Sequence, residues 1–379
     1  MVLDIDMSKV TPISQRQMQS QYSPRDILPF GKEHSEHFFM MRFSEGKWHS
    51  PIILPYANGL NISPDASGTA YGAAIFEGGK AFQHENGEIY LFRPDENAKR
   101  LNHSADVICM PNISVEDQLQ AMSTLIDTHR LWYPNQDGAS LYIRPKMFEV
   151  DDKTKLGIGD EYVFTITLRP SGAYYSQGFS PGQLLVTDRF HRALPGGTGS
   201  AKFAGNYAAV RGAEKFAQQF GAQQVLYLDL ANKFLEEAGA MNHFHVNKDG
   251  VVVIPEFRDT ILKSITSMSM LALEDRLGHP VRQERIPIGT FMEGIRSGEI
   301  KEAGGFGTAA GVAPIGSYLI DLKTKKEISK VRREDLGNLV VWNGGVGPVT
   351  RGMYDLLTGI QRGTLEAPEG WMYHIDRTA

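Results

Sequence analysis

The chain has 379 residues, of which 41% are hydrophobic and 22% charged, and its formal net charge is −5. This composition is that of a folded globular protein, and the length exceeds one ordinary hydrophobic core, so we expect two domains. The sequence has no Lys/Arg block, which argues against a nucleic-acid partner. It also has no run of about eighteen apolar residues, the length that a membrane-spanning helix needs. We therefore expect a cytoplasmic protein without membrane association.

The first half of the chain predicts a helix followed by strands. Residues 114–132 begin with Ser114 as an N-cap and place apolar residues at helical spacing. Two β-branched and aromatic runs then predict strands at Ser140–Arg144 and Tyr162–Leu168, each closed by a proline. The stretch Arg169–Gly182 is rich in Pro, Ser, Gly and Tyr, which predicts an interdomain connection.

The second half of the chain alternates predicted strands and helices. The helices are expected at Asn206–Phe220, ended by Gly221, and at Asp259–Leu277, capped by Asp259 and ended by Gly278. The expected strands are Leu184–Thr187, Gln224–Leu230 and Val251–Ile254. Cys109 is the only cysteine and has apolar neighbours, so we expect it to be buried and predict no disulfide or Cys-rich metal site.

Two glycine-rich segments raise the possibility of nucleotide binding. In the first, Ala201 and Phe203 stand where a P-loop needs Gly and a Mg²⁺-binding Ser or Thr, so that motif fails. Within the second, Gly304–Gly311, the run Gly305–Ala310 fits a dinucleotide fingerprint only loosely and lacks a preceding apolar strand. The whole segment is expected to be a loop whose exposed backbone binds an anion. The pairs His34/His37 and His243/His245 lack a third metal ligand at a persuasive spacing, so no metal site is predicted.

A series of motifs in a fixed order resembles one enzyme family. The longest are Pro195–Tyr207, which contains Lys202, and Glu237–Asn242. The others are Tyr71-Gly72, Phe76–Phe82, Ser140–Pro145 and Gly307–Ala309. From about Leu28 to the C-terminus the chain resembles the branched-chain amino-acid aminotransferases, which are fold-type IV pyridoxal-phosphate enzymes of class IV.

This resemblance implies a mixed α/β, two-domain fold similar to that of D-amino-acid aminotransferase. The expected division is a small N-terminal α/β domain at 1–175, an interdomain loop at 176–189 and a large cofactor-binding domain at 190–379. The family also implies a homodimer.

The resemblance assigns a cofactor role to several residues. Lys202 would form a Schiff base with pyridoxal 5′-phosphate and carry the proton during catalysis. Glu237, rather than its neighbour Glu236, would keep the pyridine nitrogen protonated, so that the ring accepts charge. The remaining expected cofactor contacts are Tyr207 at the phenolic oxygen and, at the phosphate, Arg100, Ile265, Thr266 and Thr308.

Substrate selection would depend on an apolar wall and a polar contact. The resemblance implies Tyr71, Phe76 and Tyr174 for the wall, and Tyr142 with Arg144 for a second carboxylate. The backbone at Ala309 and Ala310 would hold the α-carboxylate.

The implied reaction is transfer of an amino group between L-leucine, L-isoleucine or L-valine and 2-oxoglutarate. Two alternatives stay open: another fold-type IV activity, such as D-amino-acid transamination or aminodeoxychorismate lyase chemistry, and a catalytically silent metabolite- or nucleotide-binding protein. Departures at Ala240 and His243, where relatives often have Thr and an apolar residue, leave the substrate preference open.

Overall fold

The computed structural model describes residues 30–134, 136–154, 156–173, 179–322, 326–341 and 345–377. The chain is a mixed α/β protein that divides into two compact units. The first unit comprises Met1–Ser176, Ala201–Gly205 and Gly359–Ala379, and the second comprises Gln177–Ser200 and Asn206–Thr358. The segment with Lys202 and the last stretch of the chain therefore group with the N-terminal part.

The first unit is built on one sheet. Its central strands follow the order β18-β6-β5-β7-β8-β1-β2, while β3 pairs with β1 and β4 with β7. The strands are β1 His37–Ser44, β2 Lys47–Trp48, β3 Ile52–Pro55, β4 Ala74–Phe76, β5 Gly79–Gln83, β6 Ile89–Phe92, β7 Ser140–Glu149, β8 Tyr162–Ser171 and β18 Met372–His374.

Helices α1 Ser67–Ala70, α2 Pro94–Val107 and α3 Val115–Thr128 belong to the same unit. The predicted cap is confirmed, because the Ser114 side chain accepts a hydrogen bond from the Asp117 amide. The apolar face of α3 packs into a core with β7 and β8, and it includes the fully buried Leu125 and Ile126. Burial of such side chains contributes about 1.5–3 kcal/mol each.

The two strands predicted to end at prolines are longer than expected. β7 continues through Pro145 to Glu149, and β8 continues through Pro170 to Ser171. The two strands pair along their full length, with Pro145 opposite Ile166 and Pro170 opposite Leu141. A proline removes one amide donor from the ladder, and here that loss does not stop the neighbouring residues from pairing.

The second unit also contains nine paired strands among its described residues. Their order is β11-β10-β9-β16-β15-β12-β13-β14, β17 pairs with β16, and an additional β11–β12 pairing closes a ring of six strands. The strands are β9 Gly182–Thr187, β10 Gln224–Leu228, β11 Leu235–Ala238, β12 Met241–Asn247, β13 Val252–Pro255, β14 Val281–Glu284, β15 Ile300–Gly307, β16 Gly311–Asp321 and β17 Gly337–Val340.

The helices of this part of the chain differ from the predictions at their starts. The segment expected to be one helix over Asn206–Phe220 forms α4 Ala204–Ala209 and α5 Arg211–Gln218. The other helices are α6 Ile265–Ala272, α7 Glu274–Leu277, α8 Ile288–Ser297 and α9 Pro348–Arg362. Gly278 ends α7 in a left-handed conformation, as predicted.

Asp259 was expected to cap a helix, and this prediction was wrong. The cap of α6 is Ser264, whose side chain accepts from the Ser267 amide. The Asp259 carboxylate instead accepts a hydrogen bond from the Gly196 amide at 2.7 Å. A local capping signal was thus overridden by a tertiary contact within the second unit.

The segment Gly304–Gly311 was expected to be a loop, but most of it is a β-hairpin. Gly304 pairs with Phe244 on β12, and Gly307 pairs with Gly311 across the turn. A Cβ atom on Gly304 would lie 2.3 Å from Cζ of Phe244, so the glycine is needed for ring-to-backbone packing. Only residues 308–310 form the turn itself.

Cys109 was expected to be buried, and this was wrong as well. The cysteine is exposed, with φ at 59°, in the turn that follows α2. Within the described ranges, no helix has both the length and the apolar character needed to cross a membrane.

Candidate active site

Lys202 is held by main-chain contacts within the first unit. Its carbonyl oxygen accepts a hydrogen bond from the Phe76 amide at 3.1 Å, and Ile75 forms a β-bridge with Phe203. The Lys202 amide donates to Oγ of Ser104 on α2 at 2.9 Å. The backbone of the lysine is therefore fixed between β4 and α2.

The side chain of Lys202 is half-buried beside an aromatic ring. Its Nζ lies 5.0 Å from the centre of the Phe76 ring, and Cζ of Arg144 lies 4.8 Å from the same centre. A cation near an aromatic face gains about 0.5–2 kcal/mol, depending on desolvation. Three of the residues predicted for the site thus lie together in this unit.

A buried ion pair lies beside this group. Arg100 donates from Nε to Oε1 of Glu77 at 2.7 Å and from Nη2 to Oε2 at 2.8 Å. Asn97 and the Gly78 amide also donate to Oε2. Burial alone would raise the pKa of Glu77, but Arg100, followed by the charge of Lys202, holds it below its usual value.

The role of Glu77 was missed by the sequence analysis, although it lies inside a quoted motif. Arg100 was predicted to bind phosphate, and two of its nitrogens contact Glu77. Its predicted contact with phosphate stays a prediction.

Tyr142 and Arg144 occupy alternate positions on β7, so their side chains lie on one face. Nη2 of Arg144 donates to the Tyr142 hydroxyl at 2.8 Å. The hydroxyl lies over Gly78, where an added Cβ would be 2.0 Å away. This close approach explains why a glycine follows Glu77 in the motif.

The other predicted aromatic residues have the following environments. Tyr71 is 45% exposed and its hydroxyl donates to the Thr154 carbonyl at 2.5 Å. Tyr207 is half-buried on α4. Tyr174 lies outside the described residues.

A second lysine of the first unit was missed. Lys80 pairs with Tyr142 across β5 and β7, so the two side chains lie on the same face. Burial, with a smaller contribution from Arg362, lowers the pKa of Lys80 to about 8. The available signal was its place in the motif Phe76–Phe82.

Glu237 is buried on β11 in the second unit. Its Oε1 accepts from the Leu262 amide at 2.6 Å and from Nδ2 of Asn242 at 3.5 Å. Its Oε2 lies 3.2 Å from Nε of Arg192. These contacts fix the orientation of the carboxylate.

Arg192 was not singled out from the sequence. Beyond Glu237, it donates from Nη1 to the Thr260 carbonyl at 2.9 Å and from Nη2 to the Gly199 carbonyl at 3.2 Å. One buried guanidinium thus connects the carboxylate to two loops. No local pattern marks such a residue, because its partners Glu237 and Thr260 are distant in sequence.

Glu236, the neighbouring carboxylate, has a separate environment. It accepts a hydrogen bond from Oγ1 of Thr260 at 2.5 Å, and burial raises its pKa to about 7. Successive residues of a strand point to opposite sides, so Glu236 and Glu237 face different surroundings.

The start of α6 is organised by Asn242. Its Oδ1 accepts from Oγ of Ser267 at 2.8 Å and from the Ser264 amide at 3.3 Å, and its Nδ2 donates to the Leu262 carbonyl. Ile265 and Thr266 are the first residues of α6, where the helix itself cannot satisfy the amides. Such a terminus, with its positive dipole end, can bind an anion.

Thr308, Ala309 and Ala310 form the turn between β15 and β16. α6 packs against β15, which ends at Gly307. The predicted anion-binding residues of the second unit therefore lie on α6 and at the end of the strand that α6 covers.

The two sequence departures, Ala240 and His243, are not among the residues that contact the Glu237 carboxylate, which are Arg192, Asn242 and Leu262. Ala240 is exposed at the turn between β11 and β12. His243 is buried on the side of β12 opposite Asn242, where its Nε2 lies 2.9 Å from the Tyr318 hydroxyl. The His243 departure therefore belongs to the packing on the other side of the sheet.

Comparison with known proteins gives a consistent picture. The family profile "Amino-transferase class IV" matches residues 74–318. A probable branched-chain-amino-acid aminotransferase of Staphylococcus aureus is 39% identical over 368 residues, covering 96% of this chain and 98% of the relative. The branched-chain-amino-acid transaminase 1 of Bacillus subtilis is 38% identical, covering 92% and 94%.

Solved structures share the fold. The branched-chain amino acid aminotransferase of Escherichia coli matches with a TM-score of 0.71 at 23% identity, covering 90% of this chain and 100% of that one. The holo form of the Thermobaculum terrenum enzyme, which contains pyridoxal phosphate, matches with a TM-score of 0.69 at 23% identity, covering 91% and 100%. The predicted fold-type IV architecture is confirmed, and the chain belongs to the class IV aminotransferase family, together with the branched-chain-amino-acid aminotransferases.

Proposed function

We propose that the chain is a pyridoxal-phosphate-dependent transaminase that transfers an amino group between L-leucine, L-isoleucine or L-valine and 2-oxoglutarate. The observation that carries this proposal is near full-length similarity to named branched-chain aminotransferases at 37–39% identity. The residues that such chemistry needs are all present in this chain.

The described residues fit pyridoxal phosphate. The amine of Lys202 is half-buried beside Phe76, and the buried carboxylate of Glu237 is held in one orientation. The first turn of α6, at Ile265 and Thr266, has backbone amides that the helix itself does not satisfy, which supports an anion site there. With Arg100 and Thr308, these residues would hold the phosphate, and Tyr207 would contact the phenolic oxygen. Bound there, the cofactor supplies an electron sink for the charge that develops on the substrate.

Two residues of the chain would handle protons. The Lys202 amine, when neutral, would remove the proton from the substrate Cα. It would then carry this proton and donate it in a later step of the amino transfer. Glu237 would keep the ring nitrogen protonated, and Arg192 with the Leu262 amide keeps this carboxylate in place.

Substrate selection would use the face of β7. Phe76, Tyr71 and Tyr174 would form the apolar wall, while Arg144, already hydrogen-bonded to Tyr142, would receive the second carboxylate of glutamate. The backbone of Ala309 and Ala310 would hold the α-carboxylate. This division lets one site accept both an apolar side chain and a charged one.

The proposal extends to the assembly and location of the enzyme. A cytoplasmic homodimer is proposed from the resemblance to the family. The two units are proposed to be its two domains, with the connection inside residues 169–182, and β9 occupies the end of the segment 176–189 that was expected to be a loop.

A substrate panel tests the reaction. The loaded enzyme is mixed with each L- and D-amino acid and 2-oxoglutarate, and glutamate formation is measured. We expect turnover of L-leucine, L-isoleucine and L-valine. Turnover of D-alanine without L-leucine would favour the D-amino-acid alternative and reject the proposal. A protein that binds the cofactor but converts no amino acid in the panel would favour the catalytically silent alternative.

A further inference from the structure

The segment between β13 and α6 contacts both carboxyl groups of β11. Thr260 donates a hydrogen bond from Oγ1 to Oε1 of Glu236 at 2.5 Å, and the Leu262 amide donates to Oε1 of Glu237 at 2.6 Å. We call residues 260–262 the Thr260 segment. Because successive side chains of a strand point to opposite faces, this short segment bonds to groups on both faces of β11.

The backbone of Thr260 also contacts the guanidinium that holds Glu237. Its carbonyl accepts a hydrogen bond from Nη1 of Arg192 at 2.9 Å, and Nε of the same arginine lies 3.2 Å from Oε2 of Glu237. A Cβ atom on Gly199 would lie 2.6 Å from Cα of Thr260, so the neighbouring loop packs directly against this backbone. Two contacts of the Glu237 carboxylate, an amide of the Thr260 segment and Arg192, therefore depend on where Thr260 lies.

The Thr260 side chain is buried, with 3% exposure, and its hydroxyl bonds to Glu236. Among the residues that the structure describes, Oε2 of Glu236 has no hydrogen-bond partner, so Thr260 alone bonds to this carboxyl group. The hydrogen bond between the two side chains is therefore the contact that joins the Thr260 segment to the Glu236 face of β11.

A buried carboxyl group at position 236 is costly, and the chemistry proposed above does not use it. Glu236 is 5% exposed, and burial raises its pKa to about 7, although the hydrogen bond from Thr260 acts in the opposite direction. The charge of Glu237 adds to the rise, so the two carboxyl groups interact. An apolar side chain of similar size would avoid the cost of burial. A positioning role for the hydrogen bond accounts for a carboxyl group in this place.

We propose that Glu236 and Thr260 are positioning residues of the transaminase. Their hydrogen bond holds the Thr260 segment where its last amide and Arg192 orient the Glu237 carboxylate. Neither residue contacts the cofactor or the substrate in this role. The inference rests on the function proposed above, in which Glu237 keeps the ring nitrogen of pyridoxal phosphate protonated. Displacement of such a group by about 1 Å can lower a rate by about 100-fold.

Thr260→Val tests the proposal, because valine has nearly the shape of threonine but no hydroxyl group. The apo protein is titrated with pyridoxal phosphate, and the loaded protein is assayed with L-leucine and 2-oxoglutarate. We expect kcat to fall about tenfold and the Kd of the cofactor to rise about fivefold. The KM for L-leucine should change less than about twofold, since Glu237 is proposed to act on the cofactor and not on the substrate. The absorbance maximum of the bound cofactor should shift, because it reports the protonation of the ring.

Thr187→Val is the matched control. Oγ1 of Thr187 donates to Oδ2 of Asp321 at 3.3 Å, and both residues are fully buried in the second unit. This variant also loses a buried hydrogen bond from threonine to a carboxylate, so its stability against denaturant should fall as in Thr260→Val. Its kcat, cofactor affinity and absorbance maximum should match those of the wild type. Thr260→Ser and Glu236→Gln each keep the hydrogen bond and should stay within about twofold of the wild type.

A double variant keeps the test valid if Thr260→Val folds poorly. Glu236→Leu combined with Thr260→Val replaces both partners by apolar groups, so no buried carboxyl group is left alone. If one hydrogen bond does the positioning, the double variant should lose about tenfold in kcat, as Thr260→Val does, and not the product of two losses.

Wild-type kcat and cofactor affinity in Thr260→Val or in the double variant would overturn the proposal. An equal loss of kcat in Thr187→Val would overturn it as well, because the effect would then be one of general stability. A wild-type protein that binds the cofactor but does not convert L-leucine would instead reject the proposed function. The cofactor affinities and absorbance maxima of the variants would still test the hydrogen bond in that case.

Discussion

Each of the two units contains one buried glutamate–arginine pair beside residues predicted for the active site, and the two pairs differ in what surrounds them. Glu77 accepts hydrogen bonds from two nitrogens of Arg100, and it also accepts from the Asn97 side chain and the Gly78 amide. Glu237 forms an ion pair with Nε of Arg192, and the other two nitrogens of this arginine donate hydrogen bonds to backbone carbonyls.

The difference indicates two roles for the same type of ion pair, a buried glutamate with an arginine. Glu77 carries negative charge close to Lys202, and the charge of Lys202 helps to lower the pKa of Glu77. The first pair therefore sets the local charge. The second pair sets geometry, because Arg192 fixes the carboxylate and the loops at Gly199 and Thr260 together.

The largest effect is expected at Lys202. Lys202→Ala removes the proposed proton carrier, so multiple turnover of L-leucine should fall by about 10³-fold or more. Phosphate contacts remain, so the variant should still retain the cofactor noncovalently, which its absorbance spectrum would report. Lys215→Ala, an exposed lysine on α5, serves as the control and should keep full activity. Near-normal turnover in Lys202→Ala would remove the lysine from its proposed role.

The geometric role of the second pair predicts a large loss of stability. Arg192→Met leaves Glu237 buried without its guanidinium partner, and breaking a buried pair costs about 3–5 kcal/mol. The matched control is Arg258→Met, because Arg258 pairs with Glu256 at 3.4 Å on the surface and such pairs contribute about 0–1 kcal/mol. Denaturant unfolding measures both. Equal losses in the two variants would contradict the distinction between a buried and a surface pair.

The sequence predicted the fold class, the cap of α3 and the family, because these depend on periodicity and on motifs that are continuous along the chain. It did not predict Arg192, whose partners Gly199, Glu237 and Thr260 meet only in the folded unit. The glycine strand at Gly304–Gly307 was read as a loop for a similar reason. Its partner Phe244 is about sixty residues away in sequence, so local composition could not show the packing.

A substitution of Arg144 tests the proposed substrate contacts in the first unit. Arg144→Ala removes the proposed partner of the second carboxylate, so kcat/KM for glutamate should fall about tenfold more than kcat/KM for leucine. Lys146→Ala is the matched control, since Lys146 is the next residue on the same face of β7. We expect it to change both substrates little. An equal loss for glutamate and leucine in Arg144→Ala would show that the arginine does not discriminate between them.

The smallest effect concerns Glu236, next to the second pair. Burial raises its pKa to about 7, above the ordinary value of 4.5, so the folded protein holds its proton more tightly than the unfolded chain does. The resulting stabilisation is complete below about pH 4.5 and is lost as the pH rises through about 7. With allowance for solvent screening, it amounts to about 1–2 kcal/mol.

Glu236→Gln removes this titration. The difference in unfolding free energy between wild type and variant should therefore change between pH 5 and pH 8, with the wild type losing stability relative to the variant. Denaturant titrations at several pH values measure the difference. A difference that is constant across this range would show that Glu236 does not titrate there.

The turn at Gly239 and Ala240 has a consequence for how the chain tolerates change in length. Gly239 adopts a φ of 61°, and β11 and β12 pair so that Glu237 faces Asn242. Insertion or deletion of a single residue in this turn would shift the register of β12 by one and exchange Asn242 with His243. The start of α6 would then meet an imidazole in place of the Asn242 amide, which bonds to Ser264 and Ser267. Side chains at this turn can vary, as Ala240 does, but the number of residues in it cannot.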